Sequence, residues 1–255
     1  MGTINVFITT KARYDNCKTA DLFGNYASLN LVVEPQEYDN YKANYPYVNI
    51  MVLPENNKGL SYARNYIKAQ TIKKGINYYW LLDDDISHFY KRNGTKLVRT
   101  IWADCLTDAT KLFIENKIAC GALEYRQYAW SANKRLIRNS FCDSAVYINN
   151  ELTKGIWYNE NLKLKIDRDF CIKVIDSGES TARDTMNAFS VPPNGSNAGG
   201  LKEIAYDVNN LELNMCKKMV EIWGEDICTH IVKPDGRNDL KIHWNNINSK
   251  QTKLF

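Results

Sequence analysis

The stretch YYWLLDDDI at residues 78–86 decides the fold of this chain. Its first part, Tyr78 to Leu82, is aromatic and aliphatic without alternation, which is typical of a β-strand covered on both faces. Three adjacent carboxylates follow it: Asp83, Asp84 and Asp85. Open α/β sheets bind ligands at the carboxyl ends of their strands. We therefore predict a ligand site at this junction.

The spacing of these carboxylates indicates what the ligand is. In an extended segment, residues i and i+2 point to the same side, so Asp83 and Asp85 can reach one hard cation while Asp84 faces elsewhere. A solvated acidic loop is the competing interpretation. The apolar residues before the run favour the metal site, because they place the carboxylates at a buried rim where charges need partners.

Composition sets the class of protein. The chain has 255 residues, of which 44% are hydrophobic and 24% charged, and this balance is ordinary for a soluble globular protein. The formal net charge of +4 is too small to name nucleic acid as a partner. No repeat or linker divides the sequence, so we expect a single domain over residues 1–255.

Seven cysteines are scattered along the chain without a CxxC pair, which predicts neither a zinc knuckle nor a disulfide framework. The strand-like NVFITT begins at residue 5, leaving no room for a secretory signal. No apolar run approaches the ~20 residues that a membrane span requires. We expect a cytoplasmic protein without a membrane partner.

Strand-like and helix-like segments alternate along the chain, which predicts an α/β fold with a mixed, mostly parallel sheet flanked by helices. The predicted strands lie at 4–10, 28–35, 48–54, 78–82, 118–125 and 141–150, with two short pieces at 228–234 and 239–245. The predicted helices lie at 56–75, 101–116, from about 167 to 178, and at 210–223. Residues 190–202 are rich in proline and glycine and are predicted to form a mobile lid.

The segment from Arg126 to Arg138 interleaves aromatic and cationic side chains. It carries Tyr128, Trp130, Arg126, Lys134, Arg135 and Arg138. Such a mixture can stack on nucleic acid and neutralise its charge. A solvated basic loop with one anchoring tryptophan explains the pattern equally well.

Three motifs in order resemble the GT-A glycosyltransferase fold. GLSYARN at 59–65 resembles the motif that precedes the metal strand in family 2 type enzymes, DDD at 83–85 their metal motif, and KIDRDF at 165–170 the start of their catalytic-base helix. With GRNDLKIHW at 236–244, these motifs resemble the TET-associated glycosyltransferase family, found with phage DNA base-hypermodification systems. The resemblance implies a donor-binding part over about 1–100 and an acceptor-binding and catalytic part over about 101–255.

The resemblance also implies an activity: transfer of a sugar from a nucleotide-sugar donor, expected to be UDP-linked, to the hydroxyl of a 5-hydroxymethylpyrimidine in DNA. A divalent cation, Mn or Mg, is expected to neutralise the leaving diphosphate. The expected metal ligands are Asp85, Asp83 and a C-terminal histidine, for which His243 is preferred to His230. The expected donor-binding residues are Thr9, Thr10, Arg13, Glu34, Arg64, Asp83 and Asp84.

The expected catalytic base is Asp167, which would take the proton of the acceptor hydroxyl in an inverting reaction. Related enzymes usually carry Glu where this chain has Ile166, so Asp169 stays open as the alternative base. If the reaction retains configuration, Asp167 would orient the acceptor instead. A protein or glycan acceptor, and less strongly a nucleotidyltransferase reaction, are the alternative functions.

Overall fold

The computed structural model describes residues 3–192 and 210–247. Its strands are β1 (Val6–Thr9), β2 (Leu29–Val33), β3 (Asn49–Val52), β4 (Tyr78–Asp83), β5 (His88–Asn93), β6 (Lys96–Thr100), β7 (Cys120–Tyr125), β8 (Leu136–Arg138), β9 (Ala145–Asn149), β10 (Thr181–Ser190), β11 (Cys228–Val232) and β12 (Asn238–Ile242). Its α-helices are α1 (Lys18–Phe23), α2 (Tyr38–Asn44), α3 (Leu60–Lys73), α4 (Trp102–Glu115), α5 (Arg126–Ala129), α6 (Ile166–Asp176) and α7 (Leu211–Trp223).

The central feature is a 10-stranded sheet in the order β3-β2-β1-β4-β9-β7-β10-β5-β6, with β8 paired to β10. Strands β1 to β4, β6, β7 and β10 run in one direction, whereas β5, β8 and β9 run against them. The sheet is therefore mixed and mostly parallel in strand direction, as predicted. The carboxyl ends of β1, β4 and β7 lie along the same edge, which gathers the loops that follow them.

Strand β4 lies at the centre of the core and is covered on both faces. Tyr79 and Leu81 belong to the apolar layer under α3, α6 and α7. Trp80 and Leu82 belong to the opposite layer, under α1 and α4. These four side chains are at most 3% exposed. The prediction of a doubly covered strand before the carboxylates is confirmed.

Three parts of the sheet were not predicted: the hairpin of β5 and β6, strand β10, and the short strand β8, which lies in the segment 126–138 that was expected to be a loop. Strands β5 and β6 are joined by a two-residue turn, Gly94 and Thr95, and a glycine at the first position of such a turn is a hairpin signal. Strand β10 is interrupted by polar residues and by an irregular register between Asp184 and Ala188. Asp184 and Asn187 are fully buried and hydrogen-bond each other at 2.6 Å, so the strand carries its own polar partners inside the core.

The elements after β10 pack against α6. The Asp239 carboxylate in β12 accepts hydrogen bonds from Lys165 at 3.0 Å and from Arg168 at 2.5 Å. Lys165 has a left-handed backbone (φ 65°) immediately before α6, so its side chain and that of Arg168 both reach β12. Helix α7 adds a hydrogen bond from Trp223 to Asp169. The first turn of α6 is thus held in place by elements that follow it in the chain, β12 and α7.

The predicted lid at 190–202 lies, from residue 193 onward, outside the described residues. Within the two described ranges, none of the helices combines the length and the apolar character that crossing a bilayer requires.

Candidate active site

A cavity of about 290 Å³ opens at the carboxyl ends of β1 and β4. It is lined by Thr9, Thr10, Lys11, Arg13, Val32, Glu34, Leu53, Asn57, Gly59, Leu60, Ala63, Asp83, Asp84 and Asp85. The lining combines apolar side chains with the three aspartates, which suits a ligand with a flat apolar part and an anionic part that reaches the aspartates through a divalent cation. Gly59 has a φ of +91°, which lets the chain turn from the cavity into α3 without strain.

Asp84 is turned away from its two neighbours, towards β1. The hydroxyl of Thr10 donates to its carboxylate at 2.7 Å, and the Arg13 guanidinium forms an ion pair with it. Burial raises the pKa of Asp84 to about 6, although Arg13 and Thr10 oppose the rise. Because its oxygens are occupied inside the protein, Asp84 helps to shape the cavity and leaves Asp83 and Asp85 at the rim.

Glu34 lines the opposite side of the cavity and is 6% exposed. Its carboxylate accepts a hydrogen bond from the backbone N–H of Asn57 at 2.9 Å and forms an ion pair with Lys11 at 2.9 Å. Lys11 was not predicted as a site residue, although it directly follows the predicted strand. Thr9 pairs with Asp83 across the sheet, so the structure brings together every predicted donor-pocket residue except Arg64.

Arg64 lies behind the aspartates and does not line the cavity. It is 2% exposed and forms an ion pair with Asp167, and its second terminal nitrogen lies 3.5 Å from Asp83. Its guanidinium also lies over the ring of Tyr158 at 5.4 Å. Arg64 therefore links the metal motif to the start of α6, and a direct contact with the donor stays a prediction.

Asp167 lies in the first turn of α6, where the helix dipole favours a carboxylate. Burial raises its pKa, Arg64 opposes this, and the negative charge of Asp83 adds to the rise. A raised pKa brings a carboxylate closer to the range in which it can accept a proton from a hydroxyl. Its position beside Asp83 fits the predicted role of base.

Asp169 is placed differently. Its side chain is fully buried, accepts a hydrogen bond from the Trp223 indole at 3.0 Å and forms an ion pair with Lys173 at 2.7 Å. These contacts fix α7 on α6. The geometry favours Asp167 as the residue that faces the reaction, and Asp169 as a packing residue.

Asp143 is a further acidic residue at the site that the sequence did not single out. It accepts a hydrogen bond from the Tyr125 hydroxyl at 2.8 Å. The next residue, Ser144, has a φ of 56°, and its carbonyl accepts the backbone N–H of Asp83 at 2.8 Å. Burial and then the charges of Asp167 and Asp83 raise the pKa of Asp143 to about 7. Asp-Ser directly before the apolar run AVYI is a turn signal that could have identified it.

The two predicted histidine ligands lie in and beside the β11–β12 hairpin and do not line the cavity. The Nε2 atom of His243 contacts the Thr229 hydroxyl at 2.9 Å, and that of His230 contacts Asn238 at 2.8 Å. A role for either histidine as a metal ligand stays a prediction.

Asp83 and Asp85 fit the predicted cation. Their side chains are 36% and 26% exposed at the rim of the cavity, and they offer hard carboxylate oxygens. Such oxygens are the ligands that Mg²⁺ and Mn²⁺ prefer, and the remaining positions can be filled by phosphate or water.

A second group of potential ligands lies in the core. The Sγ atoms of Cys120, Cys142 and Cys171 lie within 4.8 Å of one another, although their sequence spacing gave no sign of a cluster. The Cys142 thiol is 3.4 Å from the carbonyl of Ala182, a contact that satisfies it as a neutral donor. Soft sulfur ligands do not suit Mn or Mg, so this cluster is separate from the predicted cation site.

Solved structures resemble this fold. The crystal structure of S. aureus TarS 1–349 matches with a TM-score of 0.51 at 14% identity, over 74% of this chain and 59% of that one. The same TarS fragment with UDP gives a TM-score of 0.49 at 14% identity over the same shares, 74% and 59%. GalNAc-T7 with UDP, GalNAc and Mn²⁺ gives 0.49 at 12% identity, over 88% and 48%.

Of these three likenesses, the first supports the shared fold, whereas the two lower scores support no conclusion. The chain spans 59% of the length of the TarS fragment. No curated protein sequence matches this chain. The mixed sheet, with carboxylates at the end of its central strand, agrees with the predicted GT-A fold.

A family profile described as TET-Associated Glycosyltransferase matches residues 4–199. The match covers more than half of the chain, which therefore belongs to the TET-associated glycosyltransferase family. GLSYARN, DDD and DRDF all fall within the matched range, and the resemblance based on them is confirmed. The family to which the chain belongs is one of glycosyltransferases.

Proposed function

We propose that the chain transfers a sugar from a UDP-linked donor to the hydroxyl of a 5-hydroxymethylpyrimidine in DNA, with Mn or Mg as cofactor. One observation carries the reaction type: Arg64 connects Asp167 to Asp83, so the proposed base lies beside the proposed metal motif. Family membership supports the choice of DNA as acceptor.

The donor is proposed to lie in the cavity, with its base against the apolar side chains of Val32 and Leu53. Thr10 and Arg13 hold Asp84 in place, and Glu34 faces the nucleoside from the other side. Asp83 and Asp85 would hold the cation, which supplies positive charge to the leaving diphosphate. This arrangement leaves the anomeric carbon on the side of Asp167.

Asp167 would accept the proton of the acceptor hydroxyl as its oxygen attacks the anomeric carbon. The oxygen–carbon bond forms while the bond from that carbon to the diphosphate breaks, so the configuration inverts. Arg64 orients the Asp167 carboxylate before the reaction and shares its charge with Asp83. Asp143 lies close enough to both carboxylates to contact the sugar or the acceptor.

The test is a turnover assay with the purified full chain, Mn²⁺ and a panel of nucleotide sugars. The acceptors are duplexes that contain hydroxymethylcytosine or unmodified cytosine, together with a protein and a glycan acceptor. We expect release of nucleoside diphosphate that requires Mn²⁺, one donor and hydroxymethylated DNA, with the added hexose detected by mass spectrometry of the nucleosides.

Turnover on the protein or glycan acceptor, and none on hydroxymethylated DNA, would show that the enzyme is a glycosyltransferase with a different acceptor. Release of pyrophosphate from a nucleoside triphosphate, without sugar transfer, would favour a nucleotidyltransferase instead.

A further inference from the structure

A cationic cluster lies at the edge of the sheet beyond the proposed active site. Tyr90 in β5 pairs with Arg99 in β6, the guanidinium of Arg126 lies 4.8 Å from the centre of the Tyr90 ring, and the ring of His88 lies 6.2 Å from it. We call His88, Arg99 and Arg126 the basic cluster. Its members come from three elements, and only Arg126 was visible as a candidate in the sequence.

The basic cluster concentrates charge of one sign. Burial and then the positive charges of Arg99 and Arg126 lower the pKa of His88, so the charge of the cluster at neutral pH comes from the two arginines. Within residues 3–192 and 210–247, neither arginine forms an ion pair with a carboxylate. An anion bound there would offset the positive charge of the two arginines.

Two large aromatic side chains stand beside this cluster. Tyr128 is 56% and Trp130 is 61% exposed, an unusual amount for rings of this size. Their backbone is held firmly, since Arg92 in β5 donates to the carbonyls of Ala129 at 3.0 Å and Ala132 at 2.5 Å. The Trp130 indole N–H donates to the carbonyl of Gln127 at 2.9 Å, which leaves the ring faces available.

Two other cations of this loop are engaged by neighbouring elements. Arg135 forms ion pairs with Asp108 at 2.9 Å and with Asp184 at 3.4 Å. Arg138 donates to the carbonyl of Asn116 at 3.1 Å. These two arginines tie the loop to neighbouring elements, whereas Lys134 is exposed. The charge directed outward near the aromatic rings therefore comes from the basic cluster and from Lys134.

The surface continues directly from the proposed active site. His88 follows Asp85 by three residues, and Arg126 follows the carboxyl end of β7, which lies at the same edge of the sheet as the end of β4. Tyr125, the residue before Arg126, donates to Asp143 within the site. A chain bound to the basic cluster would therefore run past the cavity.

We propose that the basic cluster binds phosphates of the acceptor DNA and that Tyr128 and Trp130 stack against its bases. This inference rests on the proposed DNA acceptor and adds the surface that holds it. Guanidinium groups pair with phosphate oxygens without reading sequence. Exposed aromatic rings stack on bases of any identity and favour unpaired ones. The surface thus positions the DNA, and the site itself selects the hydroxymethyl group.

The test is fluorescence anisotropy with labelled hydroxymethylcytosine DNA, as a duplex for the phosphate contacts and as the matching single strand for base stacking, at a series of potassium chloride concentrations. The variants are the double variant Arg99→Gln/Arg126→Gln, Trp130→Ala and the control Lys111→Gln. Lys111 is an exposed cation in the C-terminal half of α4, which leads away from this edge. Metal-dependent donor hydrolysis without DNA is measured on each variant to verify folding and the donor site.

We expect the double variant to bind more weakly and to reduce the salt slope of log Kd by about 1.8, or ~0.9 for each lost phosphate contact. Trp130→Ala should weaken binding by roughly 5- to 100-fold, with the salt slope unchanged. Lys111→Gln should bind like the parent protein. Donor hydrolysis should be the same in all four proteins.

Wild-type affinity and salt slope in the double variant would overturn this inference while leaving the DNA acceptor intact. Equal losses of DNA affinity in the double variant and in Lys111→Gln would overturn it too, because binding would then depend on the net charge of the protein and not on the basic cluster. If the parent protein hydrolyses donor but binds no DNA, the acceptor proposal itself fails.

Discussion

Arg64 in α3 and Asp167 at the start of α6 form a buried ion pair that joins two elements about 100 residues apart in sequence. The same guanidinium lies 3.5 Å from Asp83. One cation thus serves two carboxylates with different proposed tasks, metal binding and proton transfer. A shift of α3 or α6 would change the distance between the carboxylates of Asp83 and Asp167.

The first prediction separates Asp167 from Asp169. Asp167→Asn keeps the shape but removes the proton acceptor, so we expect transfer to fall by ~10²- to 10⁴-fold while donor binding is retained. Asp169→Asn weakens the contacts to Trp223 and Lys173, so we expect a lower thermal midpoint with transfer largely retained at low temperature. Steady-state kinetics and thermal denaturation measure both. The reverse pattern would assign the base to Asp169.

The second prediction concerns the metal. Asp85→Asn removes a proposed ligand at the rim, so the Mn²⁺ concentration needed for half-maximal donor hydrolysis should rise at least ~10-fold, as for loss of a charged ligand. Asp84→Asn is the matched control, because the two oxygens of Asp84 are occupied by Thr10 and Arg13 inside the protein, and Asn keeps one of these two acceptors. Metal titrations of hydrolysis compare the two variants. An equal effect in both would refute the division of roles.

The third prediction uses the pKa of Asp143, which is raised to about 7 from its ordinary value of 3.8. The folded protein therefore binds this proton more tightly than the unfolded chain does, and stability is lost as the pH rises through this window. Asp143→Asn should raise the thermal midpoint in metal-free buffer at pH 8, and by about half as much at pH 5.5. The exposed carboxylate variant Asp15→Asn should show no such gain. An equal rise of the thermal midpoint of Asp143→Asn at both pH values would show that ionisation of Asp143 is not the cause.

The fourth prediction concerns Lys68, which is fully buried in α3. Its ammonium donates to the Thr153 hydroxyl, and within the described part of the chain it forms no ion pair with a carboxylate. Burial lowers its pKa from 10.5 to about 8, so the charged form costs stability at neutral pH and this cost disappears as the pH rises towards 10.5.

Lys68→Met should therefore raise the thermal midpoint at pH 7, with a gain less than about half as large at pH 9.5. Lys73→Met, at the exposed end of the same helix, is the control for hydrophobic substitution. Thermal denaturation at the two pH values measures the effect. A lower midpoint for Lys68→Met at pH 7 would show that the ammonium stabilises the core.

The sequence predicted the parts of the fold whose pattern is apolar. Strand β4 and its carboxylates were found because the run from Tyr78 to Leu82 has no polar interruption. Strand β10 was missed because Asp184 and Asn187 break the pattern, and only the folded chain shows that they form a hydrogen bond with each other in the core. Burial of paired polar groups leaves no periodic signal in a sequence.

The residues of the candidate site that lie within recognisable motifs could be predicted from the sequence. The order of GLSYARN, DDD and DRDF placed Asp83 and Asp167 in one site, and the structure shows both contacting Arg64. Asp143 was missed because it belongs to none of these motifs, and its contact with Tyr125 depends on how β7 and β9 pair. Long-range pairing of this kind cannot be read from local spacing.

Asp239 connects the β11–β12 hairpin to the start of α6, so changes in this hairpin can affect the proposed site. Its carboxylate holds Lys165 and Arg168 on either side of Ile166, yet it lies beyond the range shared with the family, 4–199. The start of α6, which carries the proposed base, is thus held in part by a segment that shares no residue with the cavity of the proposed donor. Exchange of this hairpin between relatives offers a way to retune acceptor choice independently of donor choice.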